Sequence, residues 1–156
     1  MKGKLLAIDN FDSFTFNLIQ MFRQFDLDIQ VYRNNEINNT QLTEIAPDYL
    51  MISPGPKYPS HAGISMQAIF EFYKKIPILG VCLGMQCINE FFRGRTVCFH
   101  PPVHGKTSII KHDQSGIFTR VTNPFWAARY HSLQVNLSSS SPLTISAQSE
   151  DGVIMA

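Results

Sequence analysis

One cysteine stands in a pattern that suits nucleophilic chemistry. Cys82 lies in Gly80-Val-Cys-Leu-Gly84, which has the G-x-C-x-G form of a nucleophile elbow. Small residues at 80 and 84 allow a strand and a helix to pack closely around a strained turn, so that the thiol projects into a cleft. The helix dipole favours the thiolate, and the backbone N–H of Leu83 points to where an oxyanion would develop. The pattern predicts acyl transfer by cysteine, and a buried structural cysteine is the alternative.

Strands that alternate with helices are predicted to position this turn. Such alternation implies an α/β fold, an open and mostly parallel sheet with helices on both faces. Ligands bind at the carboxyl ends of such strands, where Asp9-Asn10, Ser53-Pro-Gly55 and Cys82 converge. The predicted strands are Lys4–Ile8, Ile29–Tyr32, Tyr49–Ile52 and Ile78–Val81, and the predicted helices are residues 14–25, Thr40–Ile45 and Ile64–Tyr73.

The second half of the chain predicts short antiparallel strands rather than further βα units. Clusters of Gly, Pro, Asn and Ser separate the apolar segments, and Asp151-Gly152 is a hairpin signal. No linker indicates a second domain, so residues 1–156 are expected to form a single domain. The segments that predict strands are Thr107–Ile110, Trp126–Arg129, Ser132–Val135, Leu143–Ala147 and Val153–Met155.

Two local predictions concern aromatic side chains and a helix cap. Asp12 and Ser13 are the N-cap candidates of the first helix. The most economical interpretation of the aromatic residues in the first and third helices places them in the core. These residues are Phe14, Phe16, Phe22, Phe25 and the run Phe70–Tyr73.

Composition excludes several classes of function. The chain has 156 residues, 44% of them hydrophobic and 16% charged, with a formal net charge of +1. No basic cluster favours nucleic acid or an anionic membrane surface, and no apolar run approaches the roughly 20 residues of a membrane span. Three cysteines without metal-ligand spacing, and an N-terminus that turns polar at Asp9, predict a reduced, cytoplasmic setting.

Six segments, taken together and in order, resemble the class I (triad) glutamine amidotransferases. They resemble more closely the small glutaminase subunit of anthranilate synthase and aminodeoxychorismate synthase. The resemblance covers nearly the whole chain, and the combination is specific where any single motif would be weak. The segments are Asp9–Asn17, Ser53-Pro-Gly-Pro56, Pro59–Ile64, Gly80–Gly84, His104–Ser108 and Arg129-Tyr-His-Ser-Leu133.

The resemblance implies hydrolysis of the side-chain amide of L-glutamine, with the ammonia passed to a chorismate-using synthase subunit, and no metal or cofactor. Cys82 would attack the amide carbonyl to form a glutamyl thioester, and the backbone N–H groups of Gly55 and Leu83 would form the oxyanion hole. Whether the product belongs to tryptophan or folate synthesis stays open. The implied substrate-binding residues are Gly55, Pro56, Lys57, Gln86, Ser132 and Leu133.

The chain departs from the family pattern at three places. Lys57 stands where the family usually has glycine, which is unfavourable if that position needs a positive φ, and Met85 replaces a common histidine. The family's general base lies in a His-Pro-Glu segment downstream of the region that matches Asp151–Ala156, so a truncated chain is expected. His131 belongs to a structural, substrate-facing motif and is not expected to replace that base.

Two other functions remain open at this stage. A catalytically incompetent subunit could bind the synthase without hydrolysing glutamine, because general acid–base help is worth ~10²–10⁴-fold in rate. A different cysteine-elbow α/β protein, such as a small peptidase, is the third interpretation. The segments Asp9–Asn17 and Arg129–Leu133 argue against that one.

Overall fold

A computed structural model describes residues 2–156, which divide into a first unit that ends at Phe91 and a second unit that begins at Phe92. The first unit alternates strands with helices, and the second is built mainly from strands. In chain order the first contains β1 (Gly3–Asp9), α1 (Thr15–Phe22), β2 (Leu27–Arg33), α2 (Asn39–Ile45), β3 (Tyr49–Ile52), α3 (Ser65–Phe72), β4 (Ile78–Gly80) and α4 (Leu83–Phe91). The second contains β5 (Arg95–His112), β6 (Phe125–Asn136) and β7 (Ala147–Ser149).

The four strands of the first unit form one parallel sheet in the order β2-β1-β3-β4. The central strand β1 is buried continuously from Leu5 to Asp9, as expected for a parallel strand that is covered on both faces. The sheet predicted from the alternation of apolar segments is confirmed.

Helices cover both faces of this sheet because successive strand residues point to opposite sides. Leu6 and Ile8 of β1 belong to a cluster that includes Leu42, Ile69 and Cys87, from α2, α3 and α4. Leu5 and Ala7 of the same strand pack with Ile19 of α1. The two clusters contain most of the apolar side chains buried in the first unit, so the predicted layers are confirmed.

The start of α1 differs from the capping prediction. Phe14 occupies the N-cap position and makes no side-chain cap bond. Asp12 lies before the helix, and its Oδ1 accepts a hydrogen bond from the Phe14 N–H at 2.8 Å. Asp12 therefore closes a local turn instead of capping the helix, and Ser13 does not cap it either.

Most of the aromatic residues predicted to be core are exposed. Phe14, Phe16 and Phe25 expose 60%, 59% and 66% of their surface, and Phe70 exposes 61%. Of the residues predicted to be core, Phe22 is partly buried against the cluster that contains Leu5, Ala7 and Ile19, and Phe72 is buried. The prediction was wrong because each helix covers the sheet with a different set of residues. The buried residues of α1 are Thr15 and Ile19, and those of α3 include Ile69 and Phe72, so Phe16 and Phe70 lie on exposed faces.

The second unit contains a three-stranded antiparallel sheet in the order β6-β5-β7. Two predicted segments, Trp126–Arg129 and Ser132–Val135, are continuous in β6, so the strands are longer than expected. Leu143 and Ile145 lie outside any strand. The predicted turn at Asp151-Gly152 is confirmed by a Gly152 φ of 80° and by the bond from Ser149 N–H to the Val153 carbonyl at 3.0 Å. The predicted strand Val153–Met155 is wrong, because only Ile154 pairs there, in a single antiparallel bridge with Gln148.

Candidate active site

Cys82 occupies a sharp turn between β4 and α4. Its φ of 53° lies in the left-handed region, which a non-glycine residue adopts at an energetic cost. A Cβ on Gly80 would overlap the backbone of Gly84, and a Cβ on Gly84 would overlap the carbonyl of Ile52. The strained turn between closely packed elements, predicted from the two glycines, is confirmed.

Backbone hydrogen bonds hold this turn to the sheet. Val81 N–H donates to the Ile52 carbonyl at 3.0 Å, which extends the pairing of β4 with β3 by one residue. Gly84 N–H then donates to the Val81 carbonyl at 2.9 Å, and Gln86 N–H donates to the Cys82 carbonyl at 3.0 Å. The turn therefore passes directly into the first turn of α4, with Cys82 at the junction.

The Cys82 thiol is exposed, yet its environment disfavours the thiolate. Desolvation raises the pKa of Cys82 from its ordinary value, and the nearby Asp12 carboxylate raises it further. A hydrogen bond with the Leu83 backbone opposes this shift but does not reverse it. The expectation that the turn favours the thiolate was therefore wrong in direction, because desolvation outweighs the stabilisation from backbone N–H groups.

Gly55 packs against the side chain of Leu83, so the two residues whose N–H groups are the predicted oxyanion donors are neighbours in space. A Cβ built on Gly55 would lie 2.7 Å from Leu83 Cδ2 and 2.5 Å from Asn10 Cβ. Only glycine fits between these neighbours. The Gly55 loop and the Cys82 turn are brought together within the first unit, whereas the oxyanion role of the two N–H groups stays a prediction.

A cavity of about 280 Å³ opens beside this contact. Its lining includes Pro56, Lys57 and Leu83 from the predicted site, together with Asn10 and His61. Lys57 has a φ of 69°, so this position does take the left-handed conformation that glycine adopts without strain. His61 pairs through Nδ1 with Ser60 Oγ at 3.1 Å.

Gln86 presents a buried acceptor on α4. The residue is 5% exposed, and its Oε1 has no hydrogen-bond partner among residues 2–156. A buried amide oxygen without a partner is costly, and a ligand N–H would satisfy it. Gln86 follows Cys82 by one helical turn, so this acceptor belongs to the same helix terminus as the thiol.

Ser132 and Leu133, the other predicted substrate-binding residues, lie in β6 of the second unit. Leu133 pairs with Cys98 of β5, and its carbonyl accepts from His131 Nδ1 at 3.0 Å. Ser132 is exposed. His131 is therefore occupied in orienting the main chain of this segment, which agrees with the structural role expected of it.

The predicted convergence of Asn10 with the loop at Ser53 is confirmed, but sequence reasoning missed the hydrogen-bond network that joins them. Asn10 is 2% exposed and makes hydrogen bonds to Ser53, Asn34 and Ser65, which belong to three other parts of the first unit. The signal in the sequence was an asparagine directly after a buried strand, but its partners are 24 to 55 residues away.

Residues 2–156 contain neither a cluster of metal-ligating side chains nor a membrane-spanning helix. These residues hold no group of three or more His, Cys, Asp or Glu side chains placed to bind a metal ion. Their helices include none that is both long and apolar enough to cross a membrane.

Comparison with known proteins places the chain in a family. Residues 6–156 match the model of the glutamine amidotransferase class-I family. Aminodeoxychorismate/anthranilate synthase component 2 of Bacillus subtilis (strain 168) is 48% identical over 153 residues, which are 97% of this chain and 79% of that protein. Anthranilate synthase beta subunit 2, chloroplastic, of Arabidopsis thaliana is 41% identical over 162 residues, which span 99% of this chain and 59% of that relative.

A solved structure has the same fold at low sequence identity. It is a putative GMP synthase subunit from Thermoplasma acidophilum, which superimposes with a TM-score of 0.81 at 20% identity. The match covers 99% of this chain and 76% of that one. The chain thus belongs to the class-I glutamine amidotransferases, an enzyme family.

Proposed function

We propose that this chain is the glutaminase component of a chorismate-using synthase. It would hydrolyse the side-chain amide of L-glutamine and supply ammonia for the formation of anthranilate or aminodeoxychorismate. The observation that carries the proposal is the position of Cys82 on a left-handed turn at the start of α4, beside the contact of Gly55 with Leu83. Acyl transfer requires an activated nucleophile and backbone donors aimed at the developing oxyanion, and we propose that the N–H groups of Gly55 and Leu83 are those donors.

The reaction would proceed in two steps, formation of a thioester and its hydrolysis. Cys82 Sγ, after loss of its proton, attacks the amide carbonyl, and the carbonyl oxygen takes the negative charge between the N–H groups of Gly55 and Leu83. The C–N bond then breaks, the nitrogen takes a proton and leaves as ammonia, and a thioester remains. Water attacks the thioester, which releases glutamate and restores the thiol. The raised pKa of Cys82 means that a base must remove its proton before attack.

Gln86 is proposed to bind the substrate through its unpartnered Oε1. An N–H of glutamine would satisfy this buried acceptor. Gln86→Met keeps the length of the side chain and removes the acceptor, so we expect KM for glutamine to rise about tenfold with a smaller change in kcat. Met85→Leu, a change at the neighbouring position of α4, should leave KM within about twofold. An unchanged KM in Gln86→Met would contradict this role.

Pro56 and Lys57 are proposed to bind the substrate, and the family resemblance implies the same role for the main chain of Ser132 and Leu133. Pro56 and Lys57 line the cavity beside Leu83. Leu133 lies in β6, and its own carbonyl accepts a hydrogen bond from His131. The whole chain is proposed to act as a single amidotransferase domain, because the family match runs from residue 6 to residue 156.

The synthase partner is proposed from the names of the relatives. These names describe component 2 or the beta subunit of anthranilate or aminodeoxychorismate synthase, which implies a further component. A cytoplasmic location is proposed from the cysteine usage, and neither nucleic acid nor a membrane is an expected partner.

Ammonia release from glutamine tests the proposal directly. The chain is assayed alone, with a chorismate-using synthase subunit, and with increasing concentrations of imidazole, which can serve as an external base. Turnover that disappears in Cys82→Ala supports the proposal. An absence of ammonia under all three conditions, from a folded chain whose Cys82 also resists glutamine-like electrophiles, would refute it.

A second candidate function is a synthase-binding subunit without glutaminase activity. The direction of the Cys82 pKa shift agrees with this candidate, because desolvation at the turn disfavours the thiolate. This candidate predicts that the chain binds the synthase subunit with no ammonia release, even with imidazole. Synthase binding combined with Cys82-dependent turnover would exclude it.

A further inference from the structure

Asn10 connects four parts of the first unit. It follows β1 directly and is 2% exposed. Its backbone N–H donates to Ser53 Oγ at 2.9 Å, and its side-chain Nδ2 donates to the Ser53 carbonyl at 3.1 Å. Its Oδ1 accepts from Asn34 Nδ2 at 2.8 Å and from Ser65 Oγ at 3.1 Å. The asparagine therefore holds Ser53 by two bonds and is itself held from the other side by two more.

The same residue forms one wall of the position occupied by Gly55. A Cβ added to Gly55 would lie 2.5 Å from Asn10 Cβ, 2.8 Å from Asn10 O and 2.7 Å from Leu83 Cδ2. Gly55 is therefore enclosed between Asn10 and Leu83, two residues after the point where Asn10 binds Ser53. The loop from Ser53 to Gly55 has no regular secondary structure of its own, so these contacts determine where the Gly55 N–H lies.

We propose that Asn10 is a positioning residue, which holds the Ser53–Gly55 loop so that the Gly55 N–H faces the developing oxyanion together with the Leu83 N–H. The inference rests on the proposed function, because it gives these two N–H groups the oxyanion role. Donors that are fixed before the reaction need no reorganisation when charge develops. A displacement of about 1 Å at such a site can lower a rate by ~10²-fold.

A neighbouring hydrogen bond provides the matched control. Thr15 Oγ1 donates to Asp9 Oδ1 at 2.7 Å, and Thr15 is fully buried. This bond lies in the same turn after β1 but does not reach the Ser53–Gly55 loop. Thr15→Val removes it with little change of shape, so it disturbs the fold locally without disturbing Gly55.

The experiment compares two electrophiles at Cys82. The first is a glutamine analogue with a chloromethyl ketone in place of the carboxamide, and its carbonyl oxygen would occupy the oxyanion position while the thiolate displaces chloride. The second is iodoacetamide, a small reagent that needs no oxyanion hole. Peptide mass mapping separates labelling at Cys82 from labelling at Cys98, which is also exposed. The ratio of the two rates cancels changes in thiolate fraction and general accessibility.

We expect the ratio to fall about 10- to 100-fold in Asn10→Ala and to stay within about twofold of wild type in Thr15→Val. Ser53→Ala removes the acceptor for the Asn10 N–H, and its ratio should also fall. A folded Asn10→Ala protein with the wild-type ratio would overturn the inference. If Asn10→Ala does not fold, Ser53→Ala decides in the same way.

Failure of the proposed function gives a different result. In that case Cys82 of the wild-type protein reacts no faster with the chloroketone than with iodoacetamide, and every variant has the wild-type ratio of the two labelling rates. The inference then falls together with the proposed function. A wild-type preference for the chloroketone that persists in Asn10→Ala and Ser53→Ala rejects the positioning role alone.

Discussion

The Arg129 guanidinium donates its Nε–H to His131 Nε2 at 2.9 Å, and this bond determines the tautomer of the imidazole. Because Nε2 is the acceptor, the ring proton resides on Nδ1, which donates to the Leu133 carbonyl at 3.0 Å. Arg129 Nη1 in turn binds both carboxylate oxygens of Asp151, at 3.0 and 2.9 Å. The hairpin turn at Asp151 is thus connected through two side chains to the Leu133 main chain.

Removal of Asp151 should destabilise the fold. Arg129 is 3% exposed, so its charge is stabilised by the few groups that contact it rather than by water. Its Nη2 already has no hydrogen-bond partner among residues 2–156. We expect Asp151→Ala to lower the free energy of unfolding by about 1–2 kcal/mol, a value reduced for the partial exposure of the carboxylate. Urea unfolding measures the change. Glu150→Ala, which removes a neighbouring charge from the same turn, should change stability by less than about 0.5 kcal/mol, and equal losses in both variants would contradict the prediction.

The ion pair between Arg129 and Asp151 predicts that the stability of the fold falls at acidic pH. Desolvation alone would raise the pKa of Asp151, but hydrogen bonds from Ser149 and Arg129 and the Arg129 charge lower it below its ordinary value. A lowered pKa in the folded state stabilises the protein above the unfolded pKa of about 3.9, and the stabilisation is lost as the pH falls through the folded pKa. Asp151→Asn should therefore show a shallower loss of stability below about pH 4 than wild type. Parallel acid unfolding curves for the two proteins would argue against this linkage.

His131 should make the protein less stable as the pH falls below about 6.5. Desolvation lowers the pKa of His131, and the Arg129 charge lowers it further, with the Leu133 and Asp151 interactions opposing. The unfolded chain therefore binds this proton more readily than the folded one, so stability declines as the pH falls through the unfolded value. Protonation would also leave Nε2 unable to accept from Arg129.

The measurement compares urea midpoints at pH 7.5 and pH 5.5. We expect the difference between the two midpoints to be smaller in His131→Gln than in wild type. His100 is an exposed histidine of β5, and His100→Gln serves as the control, for which we expect the wild-type difference. A difference that is unchanged in His131→Gln would show that other groups carry the pH dependence.

Cys82 should behave as a thiol of high pKa in the absence of substrate. Its pKa is raised by desolvation and by Asp12, so the rate of alkylation by iodoacetamide should continue to rise with pH through about pH 9. Asp12→Asn removes one cause of the shift and should move this profile to lower pH. Cys87 is buried and its pKa is raised to about 12, so it should stay unlabelled in the folded protein. A rate that reaches its plateau below pH 8 would show that the thiolate is stabilised.

Glycine at position 57 should stabilise the protein. Lys57 has a φ of 69°, a conformation that strains a residue with a Cβ, and Lys57→Gly removes that strain at the expense of a more flexible unfolded chain. We expect a net gain of about 0.5 kcal/mol in the free energy of unfolding by urea. Lys57→Ala retains the Cβ and loses the charge, and it should give no gain. Equal stability changes in the two variants would assign the effect to charge rather than backbone conformation.

Hydrophobic spacing predicted the first unit well because each element carries its own pattern. The strand Tyr49–Ile52 was predicted with its observed bounds, and the helix Thr40–Ile45 differs from the observed α2 by one residue. The turn at Cys82 was equally local, since the glycines at 80 and 84 indicate close packing wherever a strand meets a helix. In the second unit the division of β6 into two strands was wrong, because pairing with β5 continues across residues 130 and 131.

Local sequence therefore determined the order of strands and helices, the cysteine elbow, the glycine positions and the turn at Asp151-Gly152. Only the tertiary structure decided that Asn10 binds Ser53, Asn34 and Ser65, that Arg129 is buried beside Asp151, and that the pKa of Cys82 is raised. These properties depend on groups that are distant in sequence, and burial and Coulomb energies follow distance in space. The exposed Phe14 and Phe16 have the same explanation, since periodicity defines a helix face and packing selects which face the sheet covers.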